Sequence, residues 1–436
     1  MALAATRRKA ARQEALAQRI DTLTVPDGAG WATEARQAAL TRLRDMGLPT
    51  RRDEYWRFTR PDDFAAAAPP AAPVFDDSDE APVFDGIDRL RIVFTDGAFD
   101  SEASDDLAGE GVEIERLSTA TAADIHWAKD VFGVLEGRGH DPVERPFAAL
   151  NTATATDGVA IRATGKVARP IHLHYRRTKP DTDAVLHFVV KVEPGAEVTV
   201  LENGPAAARF SKVLEVEVAD GGRFHHIRAQ GRDHERRAVT HIFARVGAES
   251  LFKSFTLTAN GVLTRNEAVI EMVGDHGVAH VAGAAIGDGA FHHDDTVFVT
   301  HDAVGCESRQ VYKKVLRRGA VGTFQGKILV KPGAQKTDGY QISQALLLDD
   351  DAEFLAKPEL EIYADDVACS HGSTAGAIDE TALFYLRSRG VPEPDAQDLM
   401  VLAFIAEAIE EIEDEALRED MVSRLEAWLK RHRGTA

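Results

Sequence analysis

The sequence has a shortage of basic residues and no long apolar run. It carries 51 Lys and Arg against 71 Asp and Glu over 436 residues, which gives a net charge of −20. A nucleic-acid-binding protein needs a basic surface to neutralise phosphates, so this composition argues against that function. Charged residues interrupt every apolar stretch before it reaches the roughly 18 residues that span a bilayer. We therefore expect no nucleic-acid partner and no membrane span.

Cysteine is also scarce. Cys306 and Cys369 are the only two cysteines, and no CxxC pair is present. A long chain with so few cysteines is not stabilised by disulfides and fits a reducing compartment. We expect a cytoplasmic protein.

A nucleotide-binding loop is missing as well. The nearest match is GAVGTFQGKI, but a phosphate loop needs GxxxxGK followed by Ser or Thr. Val321 stands at the first glycine position and Ile328 at the hydroxyl position. We therefore expect no ATP hydrolysis by this chain alone, and we interpret Gly319, Gly322 and Gly326 as turns between strands.

The first third of the chain divides by composition. Residues 1–64 are rich in Ala, Arg and Leu with helical spacing, which predicts an N-terminal helical region. Its Arg-rich start is interpreted as a surface helix, because Glu14 interrupts the pattern expected of a targeting segment. Residues 65–85 are rich in Ala and Pro and predict a linker, and residues 86–155 predict a small mixed α/β segment.

From residue 156 the chain consists of short alternating segments separated by glycine. Leu186, Phe188, Val190 and Val192 alternate with other residues, which is typical of a strand. Turn glycines recur 25 to 30 residues apart, at Gly195, Gly222, Gly247, Gly277 and Gly305. Such a period indicates a solenoid whose coils bury their apolar faces by stacking. We predict a mainly β fold with a right-handed parallel β-helix core at 156–376; an antiparallel sandwich is the rival, because alternation does not report strand direction.

The chain returns to a helical pattern at 377–436. Asp379 is a good N-cap, and Gly390 followed by Pro392 is a typical helix stop. The predicted architecture is therefore a β-helix flanked by α-helical N- and C-terminal regions. The acidic run Glu407–Glu415 is interpreted as a solvated helix face, with a basic partner as the alternative.

Histidine is abundant, at 16 residues, and several are clustered. Adjacent residues of a strand point to opposite faces, so each His-His doublet offers at most one metal ligand to a face. We therefore favour structural roles for the clustered histidines, which are His225, His226, His276, His280, His292, His293 and His301.

Cys369 and His371 are the most informative pair. Two residues apart in a strand, they project from the same face, where a thiolate and an imidazole can ligate iron or accept sulfur. The alternative is structural: Cys369 as a small buried apolar residue and His371 as a strand-end residue hydrogen-bonded to backbone.

The same region carries a family resemblance. The chain resembles the SufB/SufD family of iron–sulfur cluster assembly proteins, and the likeness is dense over residues 308–412. Upstream it is limited to Glu54–Phe58 and the strand-rich middle. The motifs are Ser308–Lys314, Phe324–Ile328, Gly333–Gly339, Glu361–Asp366, Cys369–Gly372 and Leu383–Gly390.

The resemblance implies a non-catalytic subunit of the SUF assembly scaffold, acting with SufB and the ABC-type ATPase SufC. It implies that His371 and Cys369 lie at a cluster-assembly interface with SufB, with His371 as a transient metal ligand. No tightly bound cofactor is implied; an iron–sulfur cluster or iron would be held there transiently. For the isolated chain the sequence leaves two alternatives open, a homodimer and a monomer. The implied SufC docking residues are Leu383, Phe384, Tyr385, Leu386, Leu399 and Phe404.

Two alternatives remain. The SufB branch is disfavoured because Ser370–Thr374 stands where a Glu-containing sequence is expected, and because SufB is richer in cysteine. A stand-alone β-helix metalloenzyme such as a polysaccharide lyase is disfavoured because only Asp294 and Asp295 resemble its cluster of acidic groups.

Overall fold

The computed structural model describes residues 2–76, 82–231 and 235–432. Its N-terminal part is mixed α/β. The stretch around residues 66–89 contains no helix or strand in its described part, yet Phe84 is fully buried and Ala72 nearly so. This part contains α1 Ala2–Ile20, α2 Gly30–Met46, α3 Asp62–Ala65, β1 Leu90–Thr95, β2 Ala98–Phe99, β3 Val112–Arg116, α4 Leu117–Ala122, α5 Val134–Arg138 and α6 Pro146–Thr154.

A long series of strands follows. Each coil contributes one strand to each of two sheets, and glycine turns separate many of the strands, as at Gly195 and Gly305. The strands are β4 Val159–Ala163, β5 Ile171–Arg176, β6 Asp183–Val192, β7 Glu197–Asn203, β8 Arg209–Val218, β9 Arg223–Gln230, β10 Arg237–Val246, β11 Leu251–Ala259, β12 Leu263–Met272, β13 Val278–Asp288, β14 His292–His301, β15 Glu307–Arg317, β16 Val321–Val330, β17 Asp338–Leu347, β18 Glu353–Ile362 and β19 Ala368–Gly376.

The strands form a parallel β-helix. Sheet A runs in the order β19-β17-β15-β13-β11-β9-β7-β5-β1-β2, and sheet B in the order β18-β16-β14-β12-β10-β8-β6-β4-β3. Leu251 lies opposite Arg223 on one side and Val278 on the other, one coil away in each direction. Pairing is parallel throughout the coils, so the predicted β-helix is confirmed and the antiparallel sandwich is wrong. Antiparallel pairs occur where β2 and β3 close the N-terminal end.

Two of the predicted turn glycines lie inside a strand instead. Gly319 is in a turn with φ of 76°, but Gly322 and Gly326 belong to β16. A Cβ on Gly326 would lie 2.4 Å from Nε2 of Gln341, so this glycine leaves room for a side chain of the next coil. The prediction of turns at Gly322 and Gly326 was therefore wrong.

The interior of the β-helix is apolar but holds buried charged groups, among them a network around Glu202. The Nζ atom of Lys212 lies 2.6 Å from Oε2 of Glu202, and Nε2 of His226 lies 2.9 Å from Oε1 of the same carboxylate. Burial alone would raise the pKa of Glu202, but Lys212 and His226 outweigh it and hold that pKa well below its usual range. Because Glu202 is paired and hydrogen-bonded in this way, its charge is tolerated in the core.

The N-terminal part is fixed to the outer face of sheet B by aromatic and ionic contacts. The guanidinium of Arg265 lies 4.2 Å from the centroid of the Trp56 ring, and its Nε donates to Oε1 of Glu267 at 2.7 Å. It also donates to the backbone oxygen of Tyr55 at 2.9 Å. These contacts hold Tyr55 and Trp56 of the Glu54–Phe58 motif against the coils.

Three C-terminal helices, α7 Glu380–Ser388, α8 Glu393–Ile409 and α9 Glu415–His432, complete the fold. Apolar residues of α8 and α9, among them Ile405 and Trp428, pack with Val311 and Val315 on the outer face of sheet A. No helix in the described ranges is both long and apolar enough to cross a membrane.

The acidic run that joins α8 to α9 faces the β-helix. Glu413 lies 2.8 Å from Nζ of Lys253, and Oε2 of Glu411 lies 2.8 Å from Nδ1 of His280. The pKa of Glu411 is lowered, chiefly by its hydrogen bond with His280 and also by the charge of Lys253. The interpretation of this run as a solvated helix face was therefore incomplete, because three of its acids, Glu407, Glu411 and Glu413, pair with lysines of sheet A.

Candidate functional site

The C-terminal end of the β-helix is open. β18 pairs with β16, and β19 pairs with β17, while within the described part of the chain no strand pairs with their other edges. Most side chains of β19 are exposed, in contrast to the inner coils. An exposed strand edge offers unpaired backbone donors and acceptors to another chain.

Cys369 sits on this last strand with its side chain turned inward. It lies opposite Gly339 and packs beside an apolar cluster of Ile328, Val330 and Ala364. Burial raises the pKa of the Cys369 thiol, so the neutral thiol predominates at pH 7. The sulfur is therefore half-buried and protonated when the end of the β-helix is uncovered.

His371 projects from the same face, two residues further along, and is exposed. It lies opposite Gln341, whose Nε2 donates to Oε1 of Gln310 at 2.7 Å in the coil below. The Oε1 atom of the buried Gln341 has no hydrogen-bond partner among the described residues. The structure thus brings Cys369 and His371 together at the open end, one half-buried and one accessible.

The second predicted surface lies on α7 and α8. Asp379 caps α7, and its Oδ1 accepts from the backbone N–H groups of Thr381 and Ala382. Three large apolar side chains stand exposed on these helices, at 72% for Phe384, 57% for Tyr385 and 50% for Leu399. Large exposed apolar side chains are one feature of protein contact surfaces.

Not all six predicted docking residues are accessible. Leu383 is only 5% exposed and lines a cavity with Val401 and Leu429, so we exclude it from the surface. Leu386 is half-buried, and the ring of Phe404 lies 5.0 Å from Nζ of Lys313. The accessible surface therefore consists of Phe384, Tyr385 and Leu399.

Comparison with known proteins decides the family. The family model "SUF system FeS cluster assembly, SufBD core domain" matches residues 175–404, which is more than half of the chain. The chain belongs to the SufBD core family. The SufD protein of Escherichia coli is 29% identical over 89% of this chain and 91% of its own length. The SufD protein of Bacillus subtilis is 24% identical over 92% and 94%, and a SufBD family protein of Synechocystis is 28% identical over 86% of both chains. The predicted resemblance is confirmed, and with it a role in SUF iron–sulfur cluster assembly.

The histidine doublets of this SufBD protein have structural partners. His226 points inward and its Nδ1 accepts from the hydroxyl of Ser254 at 2.8 Å. His293 also points inward, to Nζ of Lys314 at 2.8 Å, whereas its neighbour His292 points outward to Oγ1 of Thr59 at 3.0 Å. Residues 2–76, 82–231 and 235–432 contain no group of three metal-ligating side chains arranged for an ion.

The acidic pair of the lyase alternative is divided between the two faces of β14. Asp294 points outward, where Oδ2 accepts from Thr59 and Arg265, and Asp295 points inward to Lys314. Both carboxylates are buried and bound to cations, so they form no catalytic groove.

Proposed function

We propose that this chain is the SufD-type, non-catalytic subunit of a cytoplasmic SUF scaffold, acting with SufB and the ATPase SufC. The relatives that match it over about nine-tenths of its length bear the name SufD. The proposal rests above all on the open last coil, which presents His371 beside the half-buried Cys369.

In this proposal SufB covers the free edges of β18 and β19. The covering removes water from His371 and Cys369, and a sulfur or iron group supplied from SufB then lies between the two subunits. A neutral imidazole nitrogen of His371 can ligate iron or move a proton near pH 7. Iron and sulfur are cargo here, held transiently and passed on. In the absence of SufB the same edge would pair two copies of this chain.

SufC binds in this proposal to the exposed apolar side chains Phe384, Tyr385 and Leu399. ATP hydrolysis belongs to SufC, because the glycines of β16 form no phosphate loop. The subunit thus joins an ATP-driven partner at its C-terminal helices to an assembly interface at the end of its β-helix.

The test is replacement of His371 with Ala in the complete complex. Co-expression with SufB and SufC should give the same three-component complex as the unsubstituted chain, because His371 is exposed and supports no packing. Cluster production in cells that depend on this pathway should fall sharply. Ser370→Ala, one residue away on the opposite face of the exposed strand, is the matched control and should leave output unchanged. Equal output from His371→Ala would contradict the assembly role, and loss of the complex would show a structural one.

A further inference from the structure

A cavity of about 530 Å³ lies at the other end of the molecule, on the outer face of sheet A. It is formed by β1, β5, β7 and residues of the irregular segment before β1. This cavity is remote in the fold from β19 and from α7 and α8, so neither proposed interface uses it.

The cavity is basic although the chain as a whole carries a charge of −20. Arg89 and Arg91 come from the start of β1, while Arg176 and Arg177 come from the end of β5. Arg91 lies opposite His172 in the parallel pair β1 and β5, so the basic groups follow from strand register. A concentration of cations in a concave site attracts anions.

Buried hydrogen bonds hold part of this group in place. Nε of Arg89 donates to Nδ1 of His172 at 3.0 Å, and the other ring nitrogen of His172 faces Oδ1 of Asn203. Nδ1 of His174 lies 3.1 Å from the same amide oxygen. Burial, together with the neighbouring cations, lowers the pKa of His172 to about 3, so this ring is neutral and serves as a fixed acceptor for Arg89.

Two further arginines line the cavity, of which Arg176 also lies within electrostatic reach of the Asp100 carboxylate. The Nε atom of Arg91 is buried and has no hydrogen-bond partner among the described residues. Arg176 is exposed at the cavity rim. A buried donor without a partner is costly, and an anion in the cavity would satisfy it.

We infer that this cavity binds a small molecule bearing a phosphate or diphosphate group. The planar guanidinium groups of Arg91 and Arg176 match phosphate oxygens, which they bind in a bidentate manner. The other wall is apolar, with Phe75, Val83 and Pro205, and suits a non-polar remainder of the same molecule. The site is independent of the proposed scaffold function.

Inorganic pyrophosphate is the probe, titrated calorimetrically into the full-length chain at constant ionic strength, with chloride as the reference anion. We expect saturable binding that weakens at least tenfold in Arg91→Ala and in Arg176→Ala, since each loses a charge-assisted contact. Arg138→Ala is the matched control: Arg138 is half-exposed and paired with Glu271 outside the cavity lining, and its loss should leave the affinity unchanged. Circular dichroism checks that each variant is folded.

Four outcomes would overturn the inference. The first is the absence of saturable pyrophosphate binding, and the second is equal binding by the two cavity variants and the unsubstituted chain. The third is an equal loss of affinity in Arg138→Ala, which would show non-specific attraction. The sequence from Asp76 to Glu80 is acidic and adjoins the cavity-lining Phe75. The fourth is pyrophosphate binding that appears only after the acidic residues of this sequence are replaced by amides. That result would show that the acidic sequence itself occupies the cavity.

Discussion

The sulfur of Cys369 lies 3.2 Å from the point at which a Cβ on Gly339 would stand, across the last parallel strand pair. A methyl group there would push the thiol by a few tenths of an ångström. Gly372 on β19 has no atom within 4 Å of its Cβ position and offers a control on the same strand.

Reactivity of this thiol is the first prediction. Because burial raises the pKa of Cys369, its reaction with a disulfide reagent should be slower at pH 7 than that of a free small thiol and should accelerate beyond pH 9. Gly339→Ala should change the rate and Gly372→Ala should not. Stopped-flow absorbance measures both. A rate at pH 7 equal to that of a free thiol would contradict the buried position.

The second prediction is that the isolated chain holds no stable iron–sulfur cluster. Such clusters are usually held by four thiolates, and this chain has two cysteines, of which Cys306 is fully buried. Anaerobically purified protein should therefore lack cluster absorption and equimolar iron and sulfide. Detection of both in the isolated protein would refute this prediction.

The third prediction concerns SufC binding. Burial of a Phe or Leu side chain contributes about 1.5 to 3 kcal/mol, so Phe384→Ala with Leu399→Ala should weaken SufC binding by roughly a hundredfold or more. Ile125→Ala is the control, since Ile125 is an exposed apolar residue, at 89%, outside the C-terminal helices. Binding is measured by surface plasmon resonance. Point substitutions are preferable to deletion of the helices, which would uncover Val311 and Val315 on sheet A.

The fourth prediction concerns stability. Arg265 is buried between Glu267 and Asp294 and stacks on Trp56, so Arg265→Ala leaves two buried carboxylates without this partner. The free energy of unfolding should fall by about 3 to 5 kcal/mol. Arg309→Ala breaks a half-exposed ion pair with Glu307 and should cost about 1 kcal/mol or less. Urea denaturation compares them; similar losses would show that Arg265 does not secure the N-terminal part.

The fifth prediction is loss of stability in acid. Burial lowers the pKa of His187 to about 3 and those of His226, His241 and His301 to about 4. Below the unfolded value of about 6.5 the unfolded chain binds protons that the folded chain does not, so the free energy of unfolding falls as pH falls from 6.5 towards 4. Each histidine adds a slope of up to about 1.4 kcal/mol per pH unit.

Thermal unfolding followed by circular dichroism at pH 7, 6 and 5 measures this effect. His301→Gln removes one titrating group and should reduce the dependence of the free energy of unfolding on pH by the contribution of one histidine. A melting temperature that is the same at pH 7 and pH 5 would contradict the assignment of neutral buried histidines.

The sequence was sufficient to predict the β-helix because each coil repeats a local pattern of alternation followed by a glycine turn. It was insufficient where a residue's neighbour comes from another coil. Gly326 is a glycine because Gln341 of the next coil occupies its side-chain space. Glu215 alternates with the apolar residues of β8, yet it is buried and accepts from the backbone N–H groups of Gly133 and Glu136.

The candidate site was likewise predictable from the sequence only in part. The spacing of Cys369 and His371 predicts a shared face, but only the unpaired edge of β19 shows which of them is accessible. The family resemblance groups Leu383 with Phe384 as docking residues, and only the packing of α7 separates the buried residue from the exposed one.

The last coil should also be the part of the β-helix that unfolds locally most often. Each coil of a solenoid is stabilised by its neighbours, and β18 and β19 have a neighbour on one side within the described chain. Their amide protons should therefore exchange with solvent faster than those of β11 or β12, through local fraying that leaves the interior closed. A subunit that pairs with this edge would act as a cap and slow that exchange.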